Sequence, residues 1–319
     1  MIGLRQLSES GRLADRVMEM MLPSHVPVMV NEVLDFMSLQ PGQTVVDATI
    51  GQAGHSLRFM EAISPGGTLV GFDWDKEMLA YATRRIAAEG ASGVQLEMIH
   101  ADYREIGAVL ERLQLFADAI FMDLGLNSAQ LEDPERGIAF KSEGPLDMRM
   151  NRSAGEPASA LLNRLSPDEL EALIFSLGDE RWARAIAKKI VERRKIAPLR
   201  TTTDLVDAVL AAIPSGARDK RIHPATRTFQ AIRIAINKEL EGLEDAIRGA
   251  AERLAPGGTL LVLSYHSGED RAAKTTFREL AEEGFDELLR KPQQASAEEI
   301  QRIPRSRSAK LRAIRRHTP

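Results

Sequence analysis

Short apolar segments alternate with helical stretches over residues 44–125 of this 319-residue chain. Continuous apolar segments separated by helices are typical of βαβ units, in which parallel strands are covered on both faces. The chain is therefore predicted to have an α/β fold with a doubly wound, parallel-rich sheet. The predicted strands are Thr44–Ile50, Thr68–Phe72, Val94–Ile99 and Ala119–Asp123.

The alternation stops at Leu126, where a long segment begins that is mostly polar and helical. A helix over residues 225–254 and a strand over Pro256–Ser264 are predicted beyond it. The sheet is therefore expected to be interrupted by an insertion. The predicted division is an N-terminal extension at 1–24, a discontinuous sheet domain at 25–128 and 225–319, and an inserted helical domain at 129–224.

Composition excludes several classes of protein. The chain has no cysteine and its six histidines show no zinc-ligand spacing, so neither disulfides nor a metal centre is predicted. No apolar run approaches the roughly 20 residues that span a bilayer, which excludes a membrane protein. The first 24 residues mix arginines with acidic residues, unlike a secretory or mitochondrial signal, and this favours a cytoplasmic protein.

Positive charge is concentrated in two segments, although the net charge is −4. Residues 302–319 contain seven Lys and Arg and no acidic residue, and residues 181–200 contain eight with the single acid Glu192. Such runs form solvated helix faces or tails as readily as polyanion sites. Charge alone therefore leaves nucleic-acid binding open.

The residues that follow the predicted strands indicate a nucleoside cofactor, because open parallel sheets bind ligands beyond the carboxyl ends of their strands. Gly51 and Gly54 allow the backbone to approach a ligand closely after the first strand. Asp73 follows the second strand, where a carboxylate can accept the hydroxyls of a ribose. The pattern Gly-x-Gly-x-x-Gly is absent, and Asp47 suits a cationic sulfonium better than a pyrophosphate. A methyl donor is therefore favoured over NAD.

Polar side chains also follow the third and fourth predicted strands. Tyr103 can stack on an adenine beside Asp102, although Asp102 would equally serve as a helix cap. Asp123 is expected where a substrate meets the methyl group, and a carboxylate there can orient an amine and hold its proton. Asp123 and Asn127 are therefore the candidate catalytic residues, with Ser128 beside them. A cofactor-binding role for Asp123 is an equal alternative.

Motifs distributed along nearly the whole chain match a known family, namely His25–Val28, the loop at 47–55, Asp123–Gly125, Arg136–Gly137, Gly144–Met150, His223–Arg233, Asn237–Leu240, His266–Arg271 and Arg305–Arg312. In these motifs the chain resembles the bacterial 16S ribosomal RNA cytosine-N4 methyltransferases. The resemblance implies a Rossmann-like class I methyltransferase fold with an inserted helical substrate-recognition domain. It also implies S-adenosylmethionine as cofactor and, as substrate, the exocyclic amine of a cytidine in the decoding region of small-subunit ribosomal RNA.

The resemblance further implies which residues contact the cofactor. The matching positions are Ala53, Gly54, His55, Asp73, Tyr103, Asp123 and Gln130. Gly51, which follows the first predicted strand, is expected to contact the cofactor as well. The family usually has glycine where this chain has Ala53, and the added Cβ is expected to crowd the methionine end of the cofactor. Asp102, Asn127 and Gly268 also differ from the commoner family residues.

RNA contacts are expected from the basic segments and from several family motifs. The candidates are Arg149, Arg227, Arg233, His266, Arg305, Arg307 and Lys310. For Arg227 and Arg233 an interdomain hydrogen-bond network is an equal alternative. The expected partner is the small ribosomal subunit, with a homodimer as the expected self-association. Two other functions stay open, namely a non-catalytic RNA-binding assembly factor and an NAD-dependent oxidoreductase.

Overall fold

The computed structural model describes residues 26–125, 133–152, 155–219 and 222–318. Its strands form one sheet in the order β3-β2-β1-β4-β5-β8-β6, with β7 paired to β8. The first five positions of this order are parallel, and β8 is antiparallel to β5, β6 and β7. The strands are β1 Thr44–Asp47, β2 Thr68–Asp73, β3 Gln95–His100, β4 Ala117–Asp123, β5 Leu254–Ser264, β6 Phe285–Glu287, β7 Gln293–Gln294 and β8 Lys310–Arg316.

The α/β fold and all five strands predicted along the chain are confirmed, with small differences at their ends. Parallel pairing of β1 with both β2 and β4 places the carboxyl ends of these three strands at one edge of the sheet. The helices are α1 Val30–Met37, α2 Gly54–Ile63, α3 Lys76–Glu89, α4 Ile106–Arg112, α5 Ala158–Arg164, α6 Pro167–Gly178, α7 Ala183–Arg194, α8 Thr202–Ala212, α9 Thr226–Asn237, α10 Leu243–Glu252, α11 Ser267–Ala281 and α12 Ala297–Arg302. None of the described helices is long and apolar enough to cross a membrane.

Apolar residues form three separate cores. Alternate residues of the strands point to opposite faces of the sheet, as Val45 and Val46 of β1 do. Helices α4, α10 and α11 cover one face, and α1, α2 and α3 cover the other. The third core lies among the helices α5–α9 and includes Phe229 and Ile232 of α9. The domain boundary at residues 224 and 225 stays a prediction, and α9 packs with the helices that precede that boundary.

The single helix predicted over residues 225–254 is two helices, which corrects that expectation. Lys238 follows α9 with a left-handed backbone at φ 53°, and Gly242 precedes α10 at φ 70°. A left-handed residue ends a helix because it turns the chain away from the helix axis. The break matters for the site, since it places Glu239 between the two helices.

The C-terminal basic segment contains a strand that the sequence analysis did not predict. Residues 310–316 form β8, in which Leu311 and Ile314 are buried on opposite faces of the sheet. Arg312 is buried as well, and its Nε donates a 2.7 Å hydrogen bond to Asp270. The many cations of this segment hid its four consecutive buried residues, 311–314, which lie in the interior of the sheet.

We predict that Leu311→Ala lowers the free energy of unfolding by about 2–5 kcal/mol, because it leaves a cavity beneath β8. Leu113→Ala is the matched control, since Leu113 is more than a third exposed, and its effect should stay within about 1 kcal/mol. Urea unfolding measures both variants. Equal losses would contradict the assignment of β8 to the core.

Candidate cofactor site and active centre

A cavity lies at the carboxyl ends of β1, β2 and β4. Its walls come from the loops after these strands and from the segments that flank α9 and α11. The lining residues are Ala48, Thr49, Ile50, Gly51, Gln52, Gly54, His55, Asp73, Trp74, Met78, Asp102, Tyr103, Arg104, Asp123, Leu124, Gly125, Met150, Asn237, Glu239 and Glu269.

The loop between β1 and α2 forms the floor of the cavity. Gly51 and Ala53 both have left-handed backbones, with φ 49° and φ 61°, and α2 begins at Gly54. The methyl group of Ala53 is fully buried in the core beneath the loop and is not part of the cavity lining. Ala53 therefore brings backbone strain of about 1–2 kcal/mol rather than the expected crowding. Asp47 also lies outside the lining, where it accepts a 2.5 Å hydrogen bond from the Ser56 hydroxyl.

Asp73 ends β2 and is held by two backbone donors. Its Oδ2 accepts a 3.0 Å hydrogen bond from Gly51 N, and its Oδ1 accepts one of 2.9 Å from Asp75 N. Burial raises the pKa of Asp73 to about 6. Each carboxylate oxygen keeps lone-pair capacity toward the cavity, which suits the paired hydroxyls of a ribose.

Tyr103 and Asp102 differ in their roles. Asp102 caps the turn that follows β3 and pairs with the Arg104 guanidinium at 2.5 and 2.9 Å, so its carboxylate is already satisfied. The Tyr103 ring lines the cavity, and its hydroxyl donates a 3.3 Å hydrogen bond to the backbone oxygen of Glu239. Tyr103 thereby joins the β3 end of the sheet to the chain beyond α9.

Asp123 ends β4 at the other side of the cavity. Its Oδ1 accepts a 3.0 Å hydrogen bond from Gly125 N, and the Tyr265 hydroxyl also hydrogen-bonds to the carboxylate. The His55 Nε2 donates to the backbone oxygen of Val28 at 2.9 Å, so a neutral ring presents unprotonated Nδ1 at 3.9 Å from Asp123 Oδ2. Burial raises the pKa of Asp123, which suits a group that must hold a proton.

The structure brings six of the eight predicted cofactor contacts to one cavity, namely Gly51, Gly54, His55, Asp73, Tyr103 and Asp123. Ala53 lies beneath it. Gln130 and the second catalytic candidate, Asn127, lie outside the described residues, as does Ser128. The sequence analysis missed Tyr265, Glu239 and Glu269. Tyr265 directly follows β5, so attention to every strand end would have found it.

The predicted RNA-contact residues differ in the partners that their side chains already have and in their exposure. Three are paired with carboxylates, namely Arg149 with Asp147, Arg233 with Glu239 and Lys310 with Asp270. His266 is buried and caps α11. Arg305 donates to the backbone oxygen of Val26, and Arg227 to that of Asp179. Arg227 and Arg307 are exposed.

An open, mostly parallel sheet with a carboxylate-rich nucleoside cavity at its strand ends defines the class as a Rossmann-like methyltransferase. The model of the MraW methylase family matches residues 23–317. The chain belongs to this family.

Two relatives named ribosomal RNA small subunit methyltransferase H show the extent of the similarity. The protein of Pelobacter propionicus is 43% identical over 308 residues, covering 91% of this chain and 97% of its own length. That of Geobacter sulfurreducens is 44% identical over 307 residues, covering 91% and 98%. A solved structure of a putative rRNA methylase from Clostridium thermocellum is 14% identical, with a TM-score of 0.44, and covers 92% of this chain and 99% of its own.

S-adenosylmethionine is the cofactor of the chain, and the residues of the cavity fit it. Asp73, Asp123, Glu239 and Glu269 all line the cavity, and its lining cation Arg104 is paired with Asp102. This charge suits a sulfonium and opposes the pyrophosphate of NAD. Gln52 is buried with an Nε2 that has no hydrogen-bond partner in the described part of the chain, which leaves a donor for an acceptor group.

We predict that affinity for S-adenosylmethionine is constant above pH 7 and falls by up to tenfold per pH unit below about 6. Ribose binding needs the ionised Asp73, so a protonated carboxyl must release its proton before the cofactor binds. Calorimetry between pH 5 and pH 8 measures the slope. Asp73→Asn should bind weakly with a flatter profile, and an unchanged slope in this variant would assign the titration to another group.

Proposed function

We propose that the chain transfers the methyl group of S-adenosylmethionine to the exocyclic N4 amine of a cytidine in the decoding region of small-subunit ribosomal RNA. The observation that carries the proposal is the position of Asp123, a buried carboxylate held by Gly125 N and Tyr265 in a cavity built for a cationic donor. Relatives named small-subunit RNA methyltransferases, similar over 91% of the chain, support this substrate.

The proposed reaction is an in-line displacement, for which the cofactor supplies an activated methyl group. The chain must align the amine with that group and exclude water. A cytosine amine shares its lone pair with the ring, so a carboxylate that accepts one N4 hydrogen raises its reactivity. Asp123 is the proposed acceptor, and its Oδ2 holds the proton that leaves N4. The Tyr265 hydroxyl and Gly125 N fix the carboxylate in this orientation.

We propose that the helices α5–α8 position the RNA. Exposed cations on α7 include Arg184 and Lys188, whose side chains are 88% and 76% exposed. Arg227 and Arg307 are the exposed members of the predicted contact set. Such cations position the phosphate backbone, whereas the choice of base requires the target cytidine to leave its stack and enter the cavity. The proposed site of action is the cytoplasm, on the small ribosomal subunit or its RNA.

The alternative of a non-catalytic assembly factor would be favoured if the Cβ of Ala53 crowded the cofactor. The burial of its methyl group beneath the loop removes the steric reason for a defective cofactor site. The catalytic proposal is therefore favoured over this alternative.

The substrate is tested by mapping N4-methylated cytidines in small-subunit RNA from cells with and without the gene. We expect one modified cytidine in the decoding region to be lost in the deletion and restored by the wild-type chain. Complementation with Asp73→Asn is the control, because this variant should fold while binding the cofactor only weakly, and it should restore the modification poorly. Identical maps in both cells would refute the substrate.

The role of Asp123 is tested by Asp123→Asn in single-turnover reactions at saturating cofactor. We expect the rate to fall by about 10²–10⁴-fold, the usual contribution of a positioned proton acceptor, with a smaller change in cofactor affinity. Tyr265→Phe, which removes only the hydroxyl bonded to Asp123, should lower the rate less. A variant with normal turnover and weak cofactor binding would give Asp123 a binding role alone.

A further inference from the structure

Two carboxylates share one guanidinium at the cavity wall formed by Glu239 and Glu269. Arg233 donates to both oxygens of Glu239, at 2.9 and 2.8 Å. Glu269 is buried, one of its carboxylate oxygens lies within 4.8 Å of one from Glu239, and its charge also acts on Arg233. Within the described residues, no second lysine or arginine forms an ion pair with either carboxylate. The wall therefore carries one uncompensated negative charge unless His266 supplies a proton.

The hydrogen bonds of His266 keep its ring neutral. Nδ1 accepts from Gly268 N at 3.2 Å and from Glu269 N at 3.4 Å, so the single ring proton belongs on Nε2. Nε2 lies 3.1 Å from Glu269 Oε1 and 3.9 Å from Glu239 Oε2 without an aligned hydrogen bond to either. A proton on Nε2 also prevents this nitrogen from binding a metal, although the three side chains could otherwise hold one.

This wall lies between the two ends of the cofactor cavity. On one side, the Tyr103 hydroxyl bonds the backbone of Glu239. On the other, Tyr265 N donates to Glu269 Oε2 at 2.8 Å while its hydroxyl bonds Asp123. Burial raises the pKa of Tyr103; the charge of Arg104 opposes this shift, and the charges of Asp102, Glu269 and Glu239 add to it. Hydrogen bonds therefore link the wall both to Tyr103 and, through Tyr265, to Asp123.

We propose that Glu269, together with Glu239, is a charge-selective wall that makes the cavity bind the sulfonium of S-adenosylmethionine in preference to the neutral thioether product, S-adenosylhomocysteine. Two other carboxylates of the cavity lining, Asp73 and Asp123, have separate tasks. Asp73 faces the ribose position, and Asp123 is influenced by His55 and Arg305. The inference rests on the cofactor of the proposed function and is independent of the RNA substrate.

A purely structural role for Glu269 is the competing explanation. Its Oε2 accepts from Tyr265 N and His266 N and completes the capping box of α11. Glutamine can occupy the same position of a capping box, so Glu269→Gln removes the charge and keeps the cap. The chain offers a matched control in Glu169, which completes the capping box of α6 with Ser166 at an exposed site outside the cavity.

The test is calorimetric binding of S-adenosylmethionine and S-adenosylhomocysteine to the full chain without RNA. We expect Glu269→Gln to weaken S-adenosylmethionine binding at least about tenfold, which is the scale of one unit charge at a distance of about 12 Å for an effective dielectric constant near 20. Binding of S-adenosylhomocysteine should change by less than about twofold. Glu169→Gln should leave both affinities unchanged.

Glu239→Gln is the second variant, since it removes the same charge without touching the cap. Like Glu269→Gln, it should lower the preference for S-adenosylmethionine over S-adenosylhomocysteine. An analogue with a protonated amine in place of the sulfonium should lose affinity in both variants, as S-adenosylmethionine does. Equal weakening of the charged and neutral ligands would show a role in shape alone, and unchanged affinities would also overturn the proposal. Failure of the wild-type chain to bind either ligand would instead refute the cofactor.

Discussion

Backbone N–H groups hold the carboxylates at the ends of β2 and β4, and the geometry of the cavity depends on them. Gly51 N binds Asp73, and Gly125 N binds Asp123. A buried carboxylate is costly unless donors replace its water, and these turns supply such donors. Parallel pairing of β1 with β2 and β4 fixes where the turns meet. The sheet therefore sets the positions of the charges as well as the shape of the cavity.

The end of α9 closes the cavity from the helical side. Asn237 Oδ1 accepts from Met150 N at 2.8 Å, and its Nδ2 donates to Met148 O at 2.9 Å. These bonds fasten the segment that precedes helices α5–α8 to the wall that contains Glu239. Asn237 thus links α9 to the chain before α5 by hydrogen bonds. Arg233 of the same helix pairs with Glu239.

The strand ends were predictable because a buried parallel strand is a continuous apolar run in the sequence. The residue that follows such a run lies at the carboxyl edge of the sheet, where ligands bind. Asp73 and Asp123 were found in this way. The wall was not predicted, because Glu239 and Glu269 are 30 positions apart in the sequence. They become neighbours only in the folded chain, where the segment between α9 and α10 lies beside the residues that follow β5. β8 was missed for a different reason. Its basic residues indicated a solvent-exposed tail, whereas Arg312 is buried and forms an ion pair with Asp270.

Asp123 and the Glu269 wall stabilise different stages of the proposed reaction. Before transfer the positive charge is on sulfur, and a fixed carboxylate beside it lowers the energy of the bound donor. During transfer the charge moves toward the amine, so stabilisation by Asp123 rises while stabilisation by Glu269 falls. Only an interaction that strengthens in the transition state accelerates the step. The wall therefore contributes to donor capture and product release, and the rate depends on the carboxylate at the end of β4.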